Sequence, residues 1–90
     1  MTDSETAQKV FDALKLAERA PAQEALPILN DLIPLVQGGG EENMEADEAR
    51  ASAFLAICEV GKVLHRGQPA DGLYAAAITA AERWVALAKS

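Results

Sequence analysis

Apolar and polar positions along this chain alternate with the 3.6-residue period of α-helices in four stretches. From Asp3 to Arg19, the residues Ala7, Val10, Phe11, Leu14 and Ala17 share one face. Thr2 and Glu5 have capping-box spacing at its start. Ala20-Pro21 ends it, because the residue before a proline avoids the α region. The second stretch runs from Pro21, suited to a first helical turn, to Gln37. Its stripe is Ala22, Ala25, Leu26, Leu29, Leu32, Ile33 and Val36. Pro27 and Pro34 lie opposite that stripe, which fits either a helix curved around a core or a helix broken at Pro27. Each proline also leaves a carbonyl, that of Gln23 or Asn30, without its usual helical donor.

Gly38-Gly39-Gly40 stops the second helix and opens a flexible connection over residues 38–42. Asn43 is the expected N-cap of a third helix from Met44 to His65, and the acids between Glu41 and Glu48 suit the positive end of its dipole. Ala46, Ala49, Ala53, Ile57, Val60 and Leu64 form the expected core face, flanked by Phe54 and Gly61, with Leu55 nearly opposite. Gly61 is read as a point where another helix approaches closely. Arg66-Gly67-Gln68-Pro69 makes a turn. A fourth helix begins between Pro69 and Gly72, with Asp71 as an alternative cap, and continues nearly to Ser90.

The fourth helix carries the most telling pattern. At about 100° per residue, Leu73, Ala77, Ala80, Trp84 and Leu87 form one stripe and Tyr74, Ile78 and Val85 a second beside it. Together they cover about half the circumference, more than the roughly 100° of a simple surface helix. Two readings stand: a central helix touching two neighbours, or an interface on the Tyr74, Ile78 and Val85 flank.

Composition narrows the fold. Ninety residues make one domain, residues 1–90, able to bury roughly 60–65% of its unfolded surface. Nineteen alanines and few β-branched residues favour helix. The expected fold is all-α, a four-helix bundle built from two helical hairpins. Its net charge of −6 with scattered lysines and arginines argues against nucleic acid and anionic membranes as partners. No apolar run approaches the roughly 20 residues of a membrane span. The first residues lack the pattern of a signal peptide, and a cytoplasmic protein is expected.

Candidate chemistry is sparse. Cys58 and His65 share a helix face, but two turns put them about 10 Å apart along the axis. Zinc needs three or four ligands, and there is neither another cysteine nor another histidine. The acids near Glu45 lack the spacing of a calcium loop, and the triple glycine lacks the Lys-Ser/Thr of a phosphate loop. No catalytic, cofactor or metal residues are therefore assigned. The leading expectation is a non-enzymatic interaction module, such as a small adaptor, chaperone or inhibitor. It self-associates or binds a protein helix through Tyr74, Ile78 and Val85. A small-molecule binder or minor enzyme subunit with an apolar pocket near Trp84 and Phe11 is the alternative. Helix-turn-helix binding of nucleic acid would need Arg50, Lys62, Arg66 and Arg83 to converge.

Overall fold

The computed structural model describes residues 3–37 and 43–89. They form four helices: α1 (Asp3–Arg19), α2 (Ala22–Gln37), α3 (Met44–His65) and α4 (Asp71–Lys89). Consecutive helices pack side by side and α4 closes the ring against α1. Three contacts fix their directions. The Tyr74 hydroxyl near the start of α4 donates to the Ala17 carbonyl near the end of α1, at 3.4 Å. Asn43 Nδ2, ahead of α3, donates to the Leu87 carbonyl near the end of α4, at 3.4 Å. Arg50, early in α3, donates to the Val36 carbonyl at the end of α2. Neighbours therefore run antiparallel, and the molecule is an all-α, up-and-down four-helix bundle. Among the described residues, no helix is long and apolar enough to cross a membrane.

The helix ends follow from local chemistry. Asn43 caps α3 in extended conformation, its Oδ1 accepting from the backbone N–H groups of Glu45 at 2.9 Å and Ala46 at 3.3 Å. At the other end Gly67 takes φ +72°, which a residue with a Cβ adopts only at a cost. That turn lets Gly67 N–H donate to the Leu64 carbonyl at 3.0 Å and Gln68 N–H to the Val63 carbonyl at 3.1 Å, the paired bonds of a Schellman cap. Pro21 stands just before α2, its carbonyl accepting from Glu24 and Ala25 at 2.9 Å. Ala70, not Asp71, takes the equivalent place before α4: its carbonyl accepts from Tyr74 N–H at 2.8 Å, and Asp71 is the first helical residue. Helix α2 is continuous through Pro27 and Pro34, both exposed. The Thr2 cap and the connection over residues 38–42 lie outside the described residues.

The core is apolar throughout. Ala7, Val10, Leu14 and Ala17 enter it from α1; Ala25, Leu29, Leu32 and Val36 from α2; Ala46, Ala49, Ala53, Ile57 and Val60 from α3. On α4 the buried line is Tyr74, Ala77, Ala81 and Trp84, continued by Ala70 just ahead of the helix. Leu73, Ala80 and Leu87 are half-buried on one flank, Ile78 and Val85 on the other. The α4 core thus lies between the two stripes read from the sequence. With α1 on one side and α3 on the other, the midline of a wide apolar face is the most deeply covered. Leu64 and Phe11, expected in the core, are likewise half-buried, and Ala22 is exposed.

Candidate functional site

The flank read as a partner surface is taken up largely by the bundle. Tyr74 is 5% exposed. Burial, and secondarily the negative charge of Glu18, holds its hydroxyl above the ordinary pKa of 10.0. Ile78 and Val85 are half-buried and packed against the core. Nor do the exposed large apolar residues make a patch. Leu16 sits on α1, while Met44 and Leu55 on α3 are eleven residues, about 16 Å, apart along the axis. Trp84 is 1% exposed, and Phe11 lies under Lys15, whose Nζ is 5.3 Å from the ring centroid.

A groove of about 230 Å³ lies open between α2 and α3. Leu26, Leu29, Asn30 and Ile33 line it from α2; Ile57, Cys58, Gly61, Lys62 and His65 line it from α3. Its origin is a mismatch in side-chain size. Leu26, Leu29 and Ile33 present a bulky apolar ridge, but beyond Ile57 the α3 side of the groove has the small side chain of Cys58, none at Gly61, and the polar Lys62 and His65. A Cβ built on Gly61 meets no atom within 4 Å. Gly61 therefore does not serve close packing within the bundle, contrary to the expectation from sequence; it leaves a gap.

Polar groups ring this apolar floor: the Asn30 amide, the Cys58 thiol, the Lys62 ammonium and the His65 imidazole. Cys58 is a half-buried free thiol. Lys62 bonds Glu59 at 3.3 Å, both side chains more than half exposed at 63% and 54%, so the pair is loosely held. No carboxylate lines the groove. Pro34 has no N–H to offer the Asn30 carbonyl, which places a second acceptor on a lining residue.

Arg50, Lys62, Arg66 and Arg83 do not converge. Arg50 Nε bonds Asp47 at 3.0 Å while its guanidinium also donates to the Val36 carbonyl, closing the negative end of α2. Lys62 and Arg66 lie about 18–24 Å further along α3. Arg83 sits on α4. Among the described residues, no group of three or more His, Cys, Asp or Glu side chains is placed to hold a metal ion. Glu45 and Glu48 of the acidic stretch are exposed.

The sequence places Cys58 and His65 on one face of α3, and marks Gly61 and the Asn30 carbonyl apart from them. Their convergence on one groove depends on how α2 lies against α3, which the sequence does not display. The usable signal was a mid-helix glycine one turn from a small residue on the flank of a core stripe. Comparison with known proteins finds no matching protein-family model, no similar curated protein and no similar solved structure.

Proposed function

We propose that this chain is a non-enzymatic, cytoplasmic protein-interaction module that docks an apolar anchor of a partner protein in the α2–α3 groove. The open groove itself supports this reading: an apolar floor with a hole at Gly61, bordered by a few polar groups. Its volume of about 230 Å³ falls below the roughly 300–1,000 Å³ of small-molecule sites. It has room for one or two large side chains, as in recognition of an amphipathic helix by a groove. Docking is assigned to this groove rather than to Tyr74, Ile78 and Val85, because those side chains already pack against the bundle core.

The test is capture of partners by the immobilised full chain, compared with Gly61→Leu. Leucine is a good helix former, its Cβ at this position meets no atom within 4 Å, and its side chain occupies space in the groove. A partner held by the wild type and lost by Gly61→Leu supports the assignment. Equal capture by both overturns it. Loss on Ile78→Thr instead, with helix content intact, moves the interface to the α4 flank. Light scattering across a concentration series shows whether a second copy of the chain serves as the partner.

A further inference from the structure

We infer that residues 22–30 of α2 form a local opening segment: they leave α3 and unwind while the rest of the bundle stays folded, baring the apolar floor of the groove. The inference needs no bound partner and does not rest on the docking reading above. The observation that carries it is the unequal hold on the two halves of α2. In residues 22–30 the buried side chains are Ala25 and Leu29, and that of Ala25 is a single methyl group. Ala22, Gln23 and Glu24 are exposed. Leu26 lines the groove together with Gly61, where a Cβ would meet no atom within 4 Å. A side chain bordering such a gap forgoes part of its dispersion attraction. The other half of α2 buries Leu32 and Val36. There the Arg50 guanidinium, bonded to Asp47 at 3.0 Å, also donates to the Val36 carbonyl.

The backbone supplies the boundary. Unwinding residues 22–30 breaks the bonds that their carbonyls accept from donors four residues on, the last of which would reach position 34. Position 34 is proline, so the bond at the boundary does not exist. Pro27 removes another from within the segment, at Gln23. Beyond the boundary, the helical bonds of Leu35 and Val36 run to Asp31 and Leu32 and survive the opening. Pro27 and Pro34 are the prolines found inside the described helices, so this discount on unwinding belongs to α2. The first consequence of opening falls on Ile57. It is 1% exposed in the closed bundle and lines the groove opposite Leu26 and Leu29, so withdrawal of those two leucines uncovers it.

The test is native-state hydrogen exchange of the full chain by NMR, through a series of urea concentrations below the unfolding transition. Amides from Ile28 to Ile33 should be less protected than Leu35, Val36, Ala77 and Ala81 by roughly tenfold or more. Ordinary fraying gives the reverse order within α2, since Leu35 and Val36 lie nearer its end. Exchange from Ile28 to Ile33 should also depend only weakly on urea, because a local opening exposes less surface than global unfolding. Equal protection and equal urea dependence across α2 and α4 would overturn the inference. Leu35 and Val36 exchanging as fast as Leu29 would overturn it too, because α2 then opens as a whole.

Discussion

Replacing Gly61 by alanine should make the isolated protein more stable. Gly61 is interior to α3, and glycine there costs about 0.8–1.0 kcal/mol relative to alanine in helix propensity. Whether that gain is realised depends on the space around the new methyl group. A Cβ at Gly61 meets no atom within 4 Å, so neither a clash nor a compensating contact enters and the propensity term stands alone. The unfolding entropy of the 90-residue chain is about 190 cal/mol/K, from about 2.1 cal/mol/K per residue. A gain of about 0.8 kcal/mol therefore raises Tm by about 4 °C. Thermal unfolding followed by circular dichroism measures this directly. Gly67→Ala is the matched control. It also adds a Cβ with no atom within 4 Å, but at φ +72°, and should lose about 1–2 kcal/mol through backbone strain. An unchanged or lowered Tm for Gly61→Ala would refute the open space at Gly61, and with it the groove.

Two further variants probe the core. Trp84 is fully buried where α4 meets the bundle centre, so Trp84→Ala should cost about 3–5 kcal/mol, a large share of the roughly 5–13 kcal/mol available to a domain of this size. Urea unfolding by circular dichroism should show the unfolding free energy lowered by that amount, with a correspondingly lower midpoint; a loss below about 1 kcal/mol contradicts the packing described. Tyr74→Phe should lose only about 0.5 kcal/mol at neutral pH, since the hydrogen bond is long and small in net value, and the Ala17 carbonyl keeps the Ala20 N–H at 3.1 Å. The pH dependence is more telling. The folded pKa of Tyr74 is raised above 10.0, so its contribution is complete below about pH 10 and lost as pH rises through the folded value. Wild type should therefore fall in stability more steeply than Tyr74→Phe on the alkaline side, and parallel urea midpoints in the two proteins would show that Tyr74 is not desolvated.

What could be read from the chain divides by the range of the interaction. Helix ends are local: Asn43 with its two acceptor contacts, and Gly67 with its positive φ, act within a few residues; the sequence marks Asn43 as a cap and Gly67 as part of a turn. Helix faces are legible to within a residue or two. On α4 the sequence shows a wide apolar arc but not its centre, because the centre is set by the angle at which α1 and α3 close on it. Tyr74 and Ala81 therefore went inside, while Leu73 and Leu87 went to a flank. The groove is the least local feature: it exists only because the Leu26, Leu29 and Ile33 ridge of α2 is set against Cys58 and Gly61 of α3.

That same mismatch bears on what the groove is for. The chain uses nineteen alanines, and alanine at 61 fits the available space and favours the helix by about 0.8–1.0 kcal/mol. Among the described residues Gly61 is the only glycine in a helix interior, since Gly72 is the second residue of α4 and Gly67 lies beyond the end of α3. A positive φ explains Gly67; close packing would have explained Gly61, but nothing within the bundle approaches it. In a small domain with several kcal/mol of total stability, a helix-interior glycine with no internal contact is a net loss to the isolated chain. On the docking reading proposed above, approach of a partner's side chain is the use of a missing Cβ at that point. The paired measurement on Gly61 variants, stability against partner capture, is where such a use must show itself: Gly61→Ala gains in the first, and Gly61→Leu loses in the second.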